Sequence, residues 1–137
     1  MYPIDLVAPM SQELNTAGYK SLQTETEVIE ALSETEGTTL VVVNSVCGCA
    51  ARYARPGAID ALSHEKTPDR LYTVFAGVDK PATEKAREYM IPYPPSSPSM
   101  ALFKDGKLVH FLERHHIERA NSEMISGHLK KVFDRFC

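Results

Sequence analysis

The sequence has no tryptophan, only three cysteines among its 137 residues, and no apolar run near the roughly 20 residues that a bilayer-spanning helix needs. It also lacks a basic block, because 15 Lys and Arg are interleaved with 18 Asp and Glu to give a net charge of -3. A charge distribution of this kind offers no favourable field to a phosphate backbone. We therefore expect neither a membrane nor nucleic acid as a partner.

The first five residues lack the basic and then apolar layout of a signal peptide, which predicts a cytoplasmic protein. Three cysteines cannot all pair within one chain, and a reducing compartment disfavours permanent disulfides. Two cysteines close together in such a compartment indicate catalysis or metal binding more often than a structural crosslink.

The chain is 43% hydrophobic, enough for one domain over residues 1–137 with a single core. Hydrophobic periodicity predicts helices over 4–14, 24–35, 47–64, 83–90 and 121–136, and strands over 19–22, 38–46, 71–78, 100–104 and 107–112. The first three strands are joined by helices and should be parallel, and the last two should form an antiparallel hairpin. The pattern predicts an α/β three-layer domain, a central mixed sheet with helices on both faces.

Several local signals fix element boundaries. Thr24 and Glu27 have the spacing of a capping box, and Asp105-Gly106 is typical of a hairpin turn because both residues tolerate positive φ. Pro9 should limit the first helix, and Pro56 should kink the third. Four prolines within residues 92–98 predict a loop.

The most informative motif is Cys47-Gly48-Cys49, which follows a β-branched strand and opens a helix. Unpaired N–H groups and the dipole at a helix N-terminus stabilise a thiolate and lower its pKa, so Cys47 is the candidate nucleophile. Asn44 and Ser45 precede the motif, where they either bond the sulfur or only shape the turn. Arg52 follows it, where it either favours the thiolate or attracts an acidic thiol, although a solvated helix face explains it equally well.

Metal binding is the alternative use of the two thiols. Zinc needs four ligands, which His110, His115 and His116 would complete only if the fold brought them near. A monovalent copper ion accepts two thiolates, so a copper or zinc carrier remains the non-enzyme interpretation.

A strand that delivers cysteines to a proline-containing helix, followed later by residues 97–106, resembles the thioredoxin superfamily. In that superfamily the residue matching Pro98 is a cis-proline that faces the cysteines, and the backbone of the residue matching Ser97 pairs with the substrate. A single Gly48 between the cysteines departs from the two residues usual there. That departure, with residues 38–51 and 95–102 and a terminal Cys137, resembles the bacilliredoxin family.

The resemblance implies a thioredoxin-like fold and removal of bacillithiol, a small thiol, from mixed disulfides on cytosolic proteins. Bacillithiolated client proteins would be partners, bacillithiol the thiol co-substrate, and a flavin-dependent disulfide reductase the recycling partner, with no bound cofactor or metal. Related members are also described as thiol-disulfide isomerases, which keeps that activity as an alternative. The pattern does not predict the oligomeric state.

Under this interpretation, Cys47 attacks the mixed disulfide and Cys49 is the second redox cysteine. A Cys47–Cys49 disulfide would close a small, strained ring, for which Gly48 would supply the backbone angles. Because strain makes a disulfide easier to reduce, this predicts an oxidising or isomerising protein. Cys137 would resolve the intermediate if the last helix packs beside the site, or would link two molecules, or would have no role.

Overall fold

The computed structural model describes residues 2–137. The strands are β1 (Lys20–Ser21), β2 (Thr38–Asn44), β3 (Arg70–Phe75), β4 (Ser99–Lys104) and β5 (Lys107–Leu112). The helices are α1 (Ile4–Ala17), α2 (Glu25–Leu32), α3 (Arg55–Asp60), α4 (Lys80–Glu88), α5 (Arg114–Glu118) and α6 (Ser122–Phe136), with a π-helix at Ala50–Ala54 and a 3-10 turn at Ala61–Ser63.

Strand β2 is the centre of a five-stranded sheet of order β1-β3-β2-β4-β5. All of its residues are buried, as expected of a β-branched strand covered on both faces. β1 and β2 run parallel to β3, while β4 runs antiparallel to β2 and β5 antiparallel to β4. The predicted mixed sheet is confirmed.

The alternation of side chains along β2 divides the apolar interior into two clusters, one on each face of the sheet. Leu40 and Val42 pack with residues of α1, α3 and α6, whereas Val41 and Val43 pack with residues of α2 and α4. The three-layer arrangement predicted from the sequence is therefore confirmed.

Local signals located some boundaries correctly. The capping box at Thr24 is present, and the hairpin turn has positive φ at Asp105 (51°) and Gly106 (80°). Helix α1 differs from expectation because it continues through Pro9 to Ala17, with Pro9 on the exposed side. None of the helices within residues 2–137 is long and apolar enough to cross a membrane.

The segment before Pro56 also differs from the expected kinked α-helix. Ala50–Ala54 forms a π-helix, in which the N–H of Arg55 donates to the carbonyl of Ala50, five residues earlier. Proline lacks an N–H and its ring crowds the carbonyl four residues before it, here that of Arg52. A wider turn just ahead of Pro56 accommodates that ring.

Helix packing against α3 gives a first prediction. A Cβ at Gly57 would lie 2.7 Å from Cγ2 of Ile125 on α6, whereas a Cβ at Gly127 would meet nothing within 4 Å. We expect Gly57→Ala to lower the free energy of unfolding by about 1–3 kcal/mol because of overpacking. Gly127→Ala should raise it by up to about 1 kcal/mol, since alanine favours a helix. Urea denaturation of both variants measures the difference, and equal stabilisation of both would contradict the close approach of α3 and α6.

Candidate active site

The Cys47-Gly48-Cys49 motif lies at the end of β2, where the chain enters the π-helix. Both thiols are free and half-buried. Gly48 and Cys49 already have helical backbone conformation, and the amides of Ala50 and Ala51 donate to the carbonyl of Cys47 at 3.1 and 3.2 Å. Cys47 is therefore at the N-terminus of the helical segment, as the sequence predicts.

The surroundings of Cys47 favour its thiolate. Burial raises the pKa of the Cys47 thiol, but this is outweighed by hydrogen bonds from the Ser45 hydroxyl and from the backbone amides of Ala50 and Cys49. The positive charge of Arg114 contributes in the same direction. The pKa of Cys47 consequently lies below its ordinary value.

The second cysteine has the opposite tendency. Burial raises the pKa of Cys49, and the negative charges of Cys47 and Glu118 raise it further, against a smaller lowering by Arg114. The two sulfurs are therefore unequal, because one is a thiolate at a pH where the other still holds its proton. The thiol that ionises more readily is the better candidate nucleophile, which favours Cys47 over Cys49.

Gly48 does not have the unusual backbone conformation that was expected of it in a disulfide ring. Its φ is not positive, and a Cβ at this position would meet nothing within 4 Å. The free-thiol form thus leaves open space beside Cys47 without requiring glycine. The role of Gly48 in an oxidised ring stays a prediction.

A buried arginine holds the segment that precedes Cys47. Arg55, only 3% exposed, donates from one guanidinium nitrogen to Asn44 Oδ1 and to the carbonyl of Ser45, both at 3.0 Å, and from Nε to Glu13 at 2.9 Å. Asn44 Oδ1 also accepts the Ser45 amide at 2.9 Å, and the Ser45 hydroxyl accepts the Cys47 amide at 3.1 Å. Asn44 and Arg55 therefore act on the site through the backbone and Ser45.

The Ser97–Pro98 peptide bond is cis, and it immediately precedes β4. Because Ser99 pairs with Val43 of β2, Pro98 lies beside the strand end that leads to the cysteines. Arg114, at the start of α5, donates to the carbonyl of Ser97 at 3.1 Å and forms an ion pair with Glu118. The fold thus brings Ser97, Pro98 and Arg114 to the cysteine end of the sheet.

A groove of about 340 Å³ joins these features. The residues that line it are Tyr2, Ser45, Val46, Cys47, Ala76, Gly77, Arg87, Ser97 and Arg114. The sequence predicts Ser45, Cys47 and Ser97 near the site, but neither Arg87 nor Arg114. No local pattern distinguishes these two arginines from other helix-surface cations.

Arg52 is exposed and does not line this groove. Helix α3 instead provides the buried Arg55, whose contacts support the loop before Cys47. Two arginines three positions apart look alike in the sequence, but only Arg55 is buried against Asn44, Ser45 and Glu13.

Cys137 lies far from the cysteine pair. Burial raises the pKa of the Cys137 thiol, against a lowering by the nearby hydroxyl of Thr38, which begins β2 at the end opposite Asn44. Six residues of strand separate the two ends by roughly 20 Å. The sequence allowed Cys137 to resolve an intermediate on Cys47 if the last helix packed beside the site. Because α6 ends near Thr38, at the opposite end of β2, this packing is incompatible with that role in the same molecule.

The histidines considered as metal ligands do not form a ligand group with either cysteine. Glu113, His115 and His116 form the one group within residues 2–137 in which three such ligand atoms lie close together. His110 instead contacts His128, with 2.8 Å between the two Nε2 atoms. Within the same range neither cysteine joins a group of three ligands, so these side chains do not complete the zinc site weighed from the sequence.

Comparisons with known proteins agree with this geometry. A family model described as disulphide isomerase matches residues 2–137. A bacilliredoxin from Cytophaga hutchinsonii is 60% identical, covering 98% of each chain. A bacilliredoxin from Halalkalibacterium halodurans is 53% identical over 99% of this chain and 94% of its own.

Solved structures resemble the fold at low identity. Fasciola hepatica thioredoxin superposes with a TM-score of 0.58 at 20% identity, covering 86% of this chain and 99% of its own. A mutant thioredoxin from Halobacterium salinarum gives 0.60 at 16% identity, covering 88% and 91%. The fold and the cysteine site define a thioredoxin-like thiol-disulfide oxidoreductase. Within that class, the extent of the sequence match shows that the chain belongs to the bacilliredoxin family.

The hydrogen bond from Ser45 gives a prediction about pH. Ser45→Ala should raise the pKa of Cys47, because a donor to the thiolate is lost. Since only the thiolate is nucleophilic, alkylation by iodoacetamide at pH 6 should slow by roughly 2- to 10-fold, while the rate at pH 10 stays unchanged. The rate is measured against pH in a Cys49→Ala, Cys137→Ala background, with Ser63→Ala as the control. An unchanged midpoint would show that Ser45 does not stabilise the thiolate.

Proposed function

We propose that this protein removes bacillithiol from mixed disulfides on client proteins, with Cys47 as the nucleophile. The inequality of the two thiols supports the proposal most directly: the pKa of Cys47 is lowered at the helix start, and the pKa of Cys49 beside it is raised. The high identity to bacilliredoxins supports the choice of bacillithiol as the thiol. Bacillithiolated proteins would meet the site in the reducing cytoplasm.

The transfer step is one thiol-disulfide exchange. The Cys47 thiolate attacks the bacillithiol sulfur, a new Cys47–bacillithiol S–S bond forms, and the client–bacillithiol S–S bond breaks. The client sulfur leaves with the electron pair and takes a proton from solvent. The number of disulfides is unchanged, so this step requires no external reductant.

Two routes return Cys47 to the thiolate. A second bacillithiol attacks the adduct and leaves as bacillithiol disulfide, which a flavin-dependent disulfide reductase then reduces with two electrons. Alternatively, Cys49 attacks Cys47, expels bacillithiol and leaves a Cys47–Cys49 disulfide that an external thiol reduces. The negative charge on Cys47 helps to raise the pKa of Cys49. Adduct formation removes that charge, so Cys49 ionises more easily, and attacks more readily, only after the first step.

Disulfide isomerisation is the second proposal, favoured by the description of the matching family model. Here Cys47 attacks a disulfide of the client and forms a mixed disulfide with one of its sulfurs. A different client thiol then attacks that sulfur, which releases the Cys47 thiolate and leaves a rearranged client disulfide. Refolding of a scrambled disulfide protein without a small thiol separates this activity from bacillithiol removal.

Mass spectrometry of the intact protein and its peptides tests the transfer. The reduced protein is mixed with a bacillithiolated client, alongside its Cys47→Ala, Cys49→Ala and Cys137→Ala variants. We expect Cys47→Ala to leave the client modified, Cys49→Ala to retain the adduct on Cys47, and Cys137→Ala to behave as the wild type. Loss of the nucleophile should slow transfer at least roughly 100-fold, since neither remaining thiol is activated.

A client left modified by all four proteins would contradict the proposal. Purification under reducing conditions, followed by metal analysis, then tests the carrier alternative. Stoichiometric copper or zinc that is lost in Cys47→Ala would favour a metal carrier over thiol transfer.

A further inference from the structure

Arg87 on α4 lines the cysteine groove and carries a buried donor without a partner. Its Nε atom is buried and has no hydrogen-bond partner, the one such side-chain nitrogen or oxygen within residues 2–137. One terminal nitrogen of the guanidinium reaches the carbonyl of Ser96 at 3.5 Å, the outer limit of a hydrogen bond. Leaving a buried charged donor unpaired is costly, and native proteins rarely do so without a reason.

The charge of Arg87 is not neutralised by a carboxylate of the described chain. None of the ion pairs within residues 2–137 involves Arg87. Glu84, one helical turn earlier on α4, is the acidic group that acts on Arg87, but it is exposed and forms no hydrogen bond with it. The guanidinium therefore retains its positive charge and part of its hydrogen-bonding capacity.

Arg87 shares its cavity with the nucleophile. The same groove of about 340 Å³ is lined by Cys47, Ser97, Arg87 and Arg114. A second cavity of about 330 Å³, which Arg87 also lines, adds Lys80 and Glu84. Arg114 is already paired with Glu118 and bonded to Ser97, so Arg87 is, among the described residues that line the groove, the cation left to receive a ligand.

We propose that Arg87 is a specificity residue that binds a carboxylate on the small-thiol half of the mixed disulfide while Cys47 attacks the sulfur of that half. This inference rests on the proposed function and specifies the class of thiol that the site accepts. Planar guanidinium pairs well with a carboxylate, and a small groove shared with the nucleophile requires the anion to lie within a few bonds of the reacting sulfur. Disulfides of carboxylate-bearing small thiols are therefore the preferred substrates.

Three symmetrical disulfides that differ in charge test this preference. They are 3,3′-dithiodipropionate with carboxylates, bis(2-hydroxyethyl) disulfide without charge, and cystamine with ammonium groups. The rate of adduct formation on Cys47 is measured for the wild type, Arg87→Gln, Arg87→Lys and Arg119→Gln. Arg119, just after α5, is exposed and does not line the groove. Arg119→Gln is therefore the control, because it removes one positive charge as Arg87→Gln does, but away from the site.

Arg87→Gln should slow the reaction of dithiodipropionate roughly tenfold, the loss of about one charge-assisted hydrogen bond, and change the rate with the uncharged disulfide less than about twofold. Cystamine should react faster with Arg87→Gln than with the wild type. Arg87→Lys should recover part of the loss because it keeps the charge, and Arg119→Gln should match the wild type. Urea denaturation should show that Arg87→Gln is no less stable, because the Ser96 carbonyl that Arg87 contacts keeps the hydrogen bond from the Ser99 hydroxyl at 3.0 Å.

Equal slowing of all three disulfides, no slowing of any, or the same selectivity in Arg119→Gln would overturn the carboxylate site while leaving exchange at Cys47 intact. Phosphopantetheine disulfide is measured as a fourth substrate. If Arg87→Gln slows adduct formation with this disulfide but not with dithiodipropionate, the ligand of Arg87 is a phosphate and the assignment of a carboxylate is overturned. Failure of the wild type to form any adduct on Cys47 with the uncharged disulfide would overturn the proposed function together with this inference.

Discussion

The site depends on one buried cation, Arg55. A guanidinium that is 3% exposed must have its donors satisfied, and Arg55 satisfies them with Asn44, with the carbonyl of Ser45 and with Glu13 of α1. Those contacts join α3, α1 and the loop after β2, so the segment that leads to Cys47 is held from both sides. The Ser45 hydroxyl can then bond the Cys47 amide and favour its thiolate in one arrangement.

Sheet topology determines what meets the thiolate. β4 runs antiparallel to β2, so the start of β4 lies at the end of β2, and the cis Ser97–Pro98 bond comes to the side of the cysteines. The same topology places Thr38 at the far end of β2, together with Cys137. One end of the sheet therefore contains the paired thiols and the cationic groove, while the third thiol is separated from them by the length of a strand.

Patterns within a few residues were sufficient to predict much of the fold. The capping box at Thr24, the Asp105-Gly106 turn and the apolar run of β2 each depend on local backbone chemistry, and each is found where the sequence placed it. The position of Cys47 at a helix start was predictable for the same reason. The five-residue helix α5 was missed because so short a segment has too few periodic positions to detect.

Tertiary contacts account for the rest of the site. Arg87 and Arg114 come from α4 and α5, 40 and 67 residues after Cys47, and nothing in their own neighbourhoods indicates a shared groove. Arg52 and Arg55 show the same limit at short range, since only the tertiary contacts of Arg55 give it a structural role. Local sequence determined where the nucleophile lies, and packing between distant elements determined which charges surround it.

The π-helix at Ala50–Ala54 determines how far the cysteines are rotated about the helix axis relative to the buried face of α3. An α-helix advances about 100° per residue, and a π-turn includes one more residue than an α-turn. Removing that residue would rotate the cysteine segment by about a quarter turn about the helix axis, or else rotate Gly57 and Ala58 out of the core. The number of residues between Cys49 and Pro56 is thus part of the active-site geometry, although none of them needs to contact a substrate.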